Sequence, residues 1–101
     1  MNQQERNKAY ELFLNAWGKT PQMIMVLEET AELQKEITKN LRGRDNIESI
    51  IEEVADVEIM LEQLKLIFEI NQVVIDYQKE QKIRRAIPKA EKEMDKLLEM
   101  I

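Results

Sequence analysis

The chain has 101 residues, 35% of them charged, with only 2 Gly and 2 Pro and a formal net charge of −5. This length and the scarcity of Gly and Pro predict a single all-α domain covering residues 1–101, while the negative charge argues against a nucleic acid polymer or a membrane as partner. Because the chain has no Cys and no His, disulfide and thiolate chemistry, the usual zinc sites and Ser-His-Asp triads are excluded.

The N-terminal half of the chain contains the first two predicted helices. The first covers about residues 3–16 and ends at Gly18. Thr20 followed by Pro21 predicts an N-cap with Pro at the first helical position, which opens a second helix that runs to about Leu41. The N-terminus shows no signal-peptide core, and no apolar run is long enough to cross a bilayer. We therefore expect a soluble, cytoplasmic protein.

The C-terminal half contains the remaining predicted helices. Asp45, with Glu48 three residues later, resembles a capping box and opens a third helix that runs to about Phe68. Asn71 is a candidate cap for a fourth helix, and Pro88 can open a short fifth one. Only 5% of the residues are aromatic, and the second and third helices are apolar on more than one side. We therefore expect a bundle of four to five helices that is completed by dimerisation.

Two carboxylate pairs hold matching positions beside the apolar stripes of the second and third helices. Glu29 with Glu32 and Glu53 with Asp56 are each separated by three residues, which places both side chains of a pair on one helical face. If the helices pack antiparallel, the four carboxylates converge at the margin of the bundle. Their mutual repulsion favours a divalent cation with oxygen ligands, which suits Mg²⁺, Mn²⁺ or Ca²⁺; we expect Mg²⁺, with Mn²⁺ as its substitute. The alternative is an acidic, solvated face, which is common in Glu-rich helices.

The helical periodicity also predicts which side chains are buried and which are solvated. The apolar stripe of the second helix consists of Met23, Val26, Leu33, Ile37 and Leu41. That of the third helix consists of Ile50, Val54, Val57, Leu61, Leu64 and Phe68. The opposite, solvated face of the third helix carries Glu48, Glu58 and Glu62.

The acidic pairs belong to a longer pattern. The run Glu28-Glu29-Thr30-Ala31-Glu32, followed after 20 residues by Glu53-Val54-Ala55-Asp56, resembles the signature of the MazG-like all-α nucleoside triphosphate pyrophosphohydrolases. Gln22, Leu33 and the segment from Ile51 to Leu64 are also similar to that family, so the resemblance covers roughly residues 17–85. It implies a helical bundle assembled as a homodimer or homotetramer. It also implies Mg²⁺-dependent hydrolysis of a (deoxy)nucleoside triphosphate to the monophosphate and pyrophosphate, including house-cleaning of non-standard nucleotides.

The resemblance implies roles for individual acids. Glu29, Glu32, Glu53 and Asp56 match the metal-binding residues of the family motif. Glu28 matches the first Glu of the motif and, together with Glu29, is the candidate catalytic residue, either orienting the attacking water or holding a metal ligand in place.

Two further features are candidates for substrate binding. Lys82 and Arg85 are the closest match to a Lys and an Arg of related proteins that contact phosphate, with Lys79 and Arg84 as alternatives in the same basic segment. A solvated basic face is the competing interpretation of that segment. Trp17 is a candidate for stacking on a base, although a Trp in such a position is more often part of the core.

The metal motif does not choose between substrates, because the pocket for the base lies outside it. Two alternatives therefore stay open at the level of sequence. One is a relative with a narrower substrate, such as a phosphoribosyl-ATP or dUTP pyrophosphatase. The other is a non-catalytic helical interaction module that kept the scaffold, against which the presence of all four acids argues.

Overall fold

The structure, a computed structural model, describes residues 1–101. It contains four α-helices and no strand, which confirms the all-α prediction: α1 (Gln3–Trp17), α2 (Lys19–Leu41), α3 (Ile47–Ile67) and α4 (Gln72–Glu99). The chain divides into two compact units, Met1–Glu69 with the first three helices and Ile70–Ile101 with the fourth. None of the helices contains an apolar stretch of the length needed to cross a membrane.

Gly18 separates α1 from α2, as the sequence predicts. It adopts a φ of +93°, which favours glycine, and its N–H donates to the carbonyl of Leu14 at 2.9 Å. The predicted start of α2 is wrong, because the helix begins at Lys19, so that Thr20 is already helical and is not the N-cap. Pro21 is tolerated in this first turn because its missing N–H would have no partner within the helix.

Asn46 organises the turn between α2 and α3. Its Nδ2 donates to the backbone carbonyl of Glu36 at 2.9 Å and to the Oε2 of the same residue at 2.7 Å. The helix α3 begins at the next residue and has no side-chain cap. The predicted capping box of Asp45 and Glu48 is therefore wrong, because the turn is held by a bond back to α2 and not by a bond within α3.

The helices α2 and α3 form the main contact of the first unit, and α1 packs against α2 over a smaller area. Glu29 lies beside Asp56, and Gln22 lines the same groove as Gln63. Positions that come earlier in α2 therefore meet positions that come later in α3. The two helices are antiparallel, which is the arrangement that convergence of the acids requires.

The packed faces of α2 and α3 are rotated from the predicted apolar stripes. Buried or half-buried positions of α2 are Gln22, Met25, Val26, Glu29, Thr30, Leu33, Glu36 and Lys39. The corresponding positions in the centre of α3 are Ile50, Glu53, Val57, Met60, Gln63 and Leu64. Several predicted members of the stripes are exposed instead: Met23, Ile37, Leu41, Val54, Leu61 and Phe68. Both helices carry apolar residues on several sides. The face predicted from the apolar residues alone therefore differs from the face that packs in the structure.

The solvated face predicted for α3 needs one correction. Glu48 and Glu58 are exposed as expected. Glu62 is half-buried, because it accepts a hydrogen bond from the hydroxyl of Tyr10 and lies 3.9 Å from the guanidinium of Arg6. The contact with α1 therefore draws this acid out of solvent.

The second unit consists of α4, which begins as predicted and ends later than predicted. Asn71 caps it, because its Oδ1 accepts from the N–H of Val73 at 2.9 Å. Pro88 lies inside a continuous helix and opens no fifth one. A proline removes one hydrogen bond, here to the carbonyl of Arg84, and the strong helix formers that come after it extend the helix further.

Candidate metal centre

Three carboxylates from two helices meet where α2 and α3 pack. Glu29 of α2 and Glu53 and Asp56 of α3 each place one carboxylate oxygen within 4.8 Å of the other two. Glu29 and Glu53 are half-buried, while Asp56 is exposed. The structure therefore brings together three of the four acids that the sequence identifies as metal ligands, and they form what we call the acid cluster.

Glu32, the fourth predicted ligand, is exposed and lies outside this close group. It comes one helical turn after Glu29 on α2. Its charge is near enough to contribute to the raised pKa values of both Glu29 and Glu53, after the larger contribution of burial in each case. Glu32 therefore belongs to the electrostatic surroundings of the acid cluster, at its solvent-facing side.

Glu29 is half-buried and lies near other carboxylates, and both conditions affect its pKa. Burial raises the pKa of Glu29 above its usual 4.5, and the charges of Asp56, Glu53 and Glu32 raise it further. A hydrogen bond to the side chain of Asp56 acts in the same direction. Negative charge is therefore unfavourable at Glu29 until a counter-charge is present.

Glu53 has a carboxylate oxygen whose hydrogen-bonding capacity is unmet. Its Oε2 is buried and has no hydrogen-bond partner. Burial raises the pKa of Glu53, and the charges of Asp56 and Glu32 are the next largest causes. A buried carboxylate oxygen without a donor is costly to the folded state, and a bound cation would compensate for it.

Glu36 differs from the acid cluster although it lies on the same face of α2. The hydrogen bond from Asn46 lowers its pKa, and Lys39, whose Nζ lies 3.2 Å from Oε1, lowers it further. This carboxylate is therefore satisfied by neighbouring donors. Its contact with the turn was not predicted from the sequence, although its position seven residues after Glu29 places it on the same face.

The acid cluster fits a hard divalent cation. Its donor atoms are all carboxylate oxygens, the ligands that Mg²⁺, Mn²⁺ and Ca²⁺ prefer. Ions that bind oxygen at about 2.0–2.6 Å place opposite ligands about 4.0–5.2 Å apart, which is the same scale as the 4.8 Å that bounds the separations of these oxygens. The Oε2 of Glu53 is the one carboxylate oxygen of this cluster that is buried without a hydrogen-bond partner.

A groove of about 790 Å³ opens in the same unit as the acid cluster. Its walls come from all three helices of that unit: Phe13, Trp17, Pro21, Gln22, Ile24, Met25, Glu28, Met60 and Gln63. Phe13 and Trp17 stack with ring centroids 5.3 Å apart and planes 20° apart. Trp17 is 60% exposed, so it lies on the groove wall and not in the core. Glu28 lines the groove, and the next residue, Glu29, belongs to the acid cluster.

Two buried glutamines line this groove, of which Gln22 was named from the sequence as similar to the MazG-like family and Gln63 was not singled out. Gln22 is 5% exposed and Gln63 is 2% exposed. The Oε1 of Gln63 is buried without a hydrogen-bond partner. The available signal was a polar residue at a helical position that continues the packed face of Glu53 and Met60.

The candidate phosphate-binding residues lie on α4, in the second unit. Lys79 and Lys82 are exposed. Arg84 is engaged with Glu80 in an exposed ion pair of 2.7 Å, and the Nε of Arg85 donates to a backbone carbonyl one turn earlier at 3.4 Å. Of the two alternative phosphate-binding residues, Lys79 and Arg84, only Arg84 is engaged in an ion pair.

Comparison with known families, curated proteins and solved structures finds no significant match for this chain. The resemblance to the MazG-like enzymes therefore depends on the motif residues themselves. Any function assigned to the chain has to come from the chemistry and geometry of those residues.

Proposed function

We propose that the chain is an Mg²⁺-dependent nucleotide pyrophosphohydrolase with a MazG-like fold, which converts a (deoxy)nucleoside triphosphate to the monophosphate and pyrophosphate. One observation carries the proposal: Glu29, Glu53 and Asp56 converge within 4.8 Å, and the buried Oε2 of Glu53 has no partner. The order and spacing of the acidic motifs support the same reaction.

In this proposal the acids of α2 and α3 hold the cation. Glu29, Glu53 and Asp56 would hold the cation, and Glu32 is the fourth candidate ligand. The cation, when bound, supplies positive charge to the phosphates and lowers the pKa of water.

The reaction forms a bond between a water oxygen and the α-phosphorus and breaks the bond from that phosphorus to the oxygen bridging to the β-phosphorus. Pyrophosphate leaves with the bridging oxygen. Glu28 lies at the edge of the groove next to Glu29. Together they orient the water, and one of the two carboxylates accepts its proton.

The groove of Trp17 receives the nucleoside. Its volume of about 790 Å³ is of the size usual for small-ligand pockets, roughly 300–1,000 Å³. An exposed Trp can stack on a base of any identity. Lys82 and Arg85, with Lys79 as the alternative in register, bind the phosphates by charge-assisted hydrogen bonds.

The proposed assembly is a homodimer or homotetramer. Tyr10 and Met60 are the only buried apolar side chains of the chain. Large apolar residues on α2 and α3 stay exposed, among them Leu27 at 69% and Ile51 at 60%. Burial of such surface against a second copy would stabilise the fold.

A panel of canonical and damaged nucleoside triphosphates, assayed for pyrophosphate release with Mg²⁺, Mn²⁺ or chelator, tests the proposed reaction. We expect Mg²⁺-dependent release of pyrophosphate, not of orthophosphate, from at least one of them. Activity confined to dUTP or to phosphoribosyl-ATP would identify the narrower-substrate alternative. Binding of Mg²⁺ in calorimetry without hydrolysis of any nucleotide would contradict the enzyme and favour the non-catalytic module.

A further inference from the structure

The C-terminal part of α4 carries an apolar stripe with the period of paired helices. Its residues recur at alternating intervals of four and three positions: Ile83, Ile87, Ala90, Met94 and Leu97. This heptad pattern, with a mean interval of about 3.5 residues, keeps one seam of a helix against a partner helix. All five side chains are exposed, so the chain itself leaves the stripe uncovered.

A shallow depression of about 490 Å³ lies at the N-terminal end of this stripe. Its walls come from α4 alone and consist of Asp76, Lys79, Glu80, Ile83, Arg84 and Ile87. Residues with this spacing surround the holes of a coiled coil, into which side chains of the facing helix insert. The depression therefore has the lining that a second helix requires.

The residues along one edge of the stripe indicate which helix pairs with it. At intervals of seven they are Tyr77, Arg84, Glu91 and Leu98. In an antiparallel pair of identical helices, this edge of one helix faces the same edge of the other. When Ile87 of one copy faces Ala90 of the other, Arg84 comes nearest to Glu91 on both sides, and Tyr77 nearest to Leu98. The row therefore complements its own reverse, in charge and in apolar character.

Other arrangements of the same two helices bring like charges together. In a parallel pair, Lys79 of one helix comes nearest to Arg84 of the other. An antiparallel pair shifted by one heptad places Glu91 opposite its own copy. Flanking charges set the partner and the orientation of coiled coils. Because the ion pair of Arg84 with Glu80 is exposed, its loss on pairing costs little.

We propose that α4 is an assembly helix that pairs with α4 of a second copy of this chain as an antiparallel coiled coil. Met94 and Leu97 of each helix enter the depression of the other, and Arg84 and Glu91 form an ion pair on each side of the seam. This surface is distinct from the exposed apolar residues of α2 and α3, and the pairing does not depend on hydrolysis of a nucleotide.

Charge reversal in the full chain tests the pairing. Arg84→Glu and Glu91→Arg each replace two attractive contacts by two repulsive ones, so self-association in sedimentation should weaken about tenfold in each variant. An equimolar mixture of the two should associate like the parent, because Arg then faces Glu at both contacts. The matched control is Lys92→Glu, the same reversal at an exposed heptad position away from the seam, which should associate like the parent.

Cross-linking reports the orientation, because the parent chain has no Cys. Ile87→Cys mixed with Ala90→Cys should form more disulfide-linked dimer under mild oxidation than either variant alone. Stronger cross-linking of each variant with itself would show a parallel pair and overturn the proposal. Equal association of all three charge variants, or a mixture that does not regain the parental association, would overturn it as well and assign the stripe to another occupant.

Discussion

At the scale of single residues, Glu53 is the acid of the cluster whose surroundings favour its charge least. It occupies the packed face of α3, where an apolar residue would satisfy the helix contact at no electrostatic cost. Its Oε2 is buried without a donor, and burial together with the charge of Asp56 raises its pKa. A cation bound as proposed would remove both of these costs.

The raised pKa of Glu53 gives a pH dependence whose sign is fixed. The pKa of Glu53 is higher in the folded protein than its value of 4.5 in the unfolded chain. Such a carboxyl stabilises the fold at pH values below the unfolded pKa, and this stabilisation is lost as the pH rises through the folded pKa. In metal-free buffer at about pH 7, Glu53→Gln should therefore melt higher than the parent, and the difference should vanish near pH 4. A variant that melts lower than the parent at neutral pH would show that the charge of Glu53 is already compensated.

Tyr10 ties α1 to α3 through its hydroxyl, which donates to Glu62. Burial, and after it that bond, raises the pKa of Tyr10 from 10.0 to about 12. Its contribution to stability is therefore complete below pH 10 and is lost as the pH rises through about 12. Tyr10→Phe should cost about 1 kcal/mol in urea unfolding at neutral pH, and less as the pH passes 11. The control, Tyr77→Phe on α4, changes an exposed side chain and should cost nothing; equal losses in both variants would contradict the assigned bond.

At the scale of helices, the bounds of the helices could be predicted from the sequence more accurately than the faces through which they pack. Gly18 and Asn71 act through their own backbone and side chain, so both helix boundaries that depend on them are as predicted. Asn46 instead donates a hydrogen bond to Glu36 in another helix. The residues around Asn46 in the sequence do not predict this partner. This is why the predicted cap at Asp45 is wrong.

The acids of the candidate centre could be predicted for a related reason. The spacing of three residues fixes Glu53 and Asp56 on one side of α3 whichever way the helix is rotated. The depth of each acid depends on that rotation, so Glu29 is half-buried while Glu32 is exposed and remains outside the close group. Gln63 was not identified, because a single buried amide has no sequence signal apart from its position on the packed face.

The basic segment of α4 supplies the prediction at this scale. Lys82→Ala or Arg85→Ala should lower kcat/KM by about tenfold or more, the effect of losing one charge-assisted contact to phosphate. Calorimetric affinity for Mg²⁺ should not change in either variant, because neither residue is a carboxylate ligand. Lys92→Ala, which removes the same charge from another exposed position of α4, is the control. If kinetics of all three variants match the parent, phosphate is bound elsewhere.

At the scale of the whole molecule, the chain leaves much apolar surface uncovered. Tyr10 and Met60 are its only buried apolar side chains, while exposed apolar residues occur on every helix, for example Leu12, Leu27, Ile51 and Leu97. Sedimentation equilibrium at micromolar concentration should therefore show at least a dimer. A stable, cooperatively folding monomer under those conditions would contradict the proposed assembly.

The central claim is that the acid cluster binds Mg²⁺ for nucleotide hydrolysis, and a matched pair of α3 variants tests it. Glu53→Gln keeps the shape of the side chain and removes one ligand charge, whereas Glu58→Gln makes the same change at an exposed position outside the cluster. The measurement is the rate of pyrophosphate release with saturating Mg²⁺ and the best substrate of the panel. We predict a loss of about a hundredfold or more in Glu53→Gln, since even outer-shell changes cost about 10–100-fold, and a rate near that of the parent in Glu58→Gln. Equal rates in the two variants would mean that the cluster is only an acidic face of the bundle.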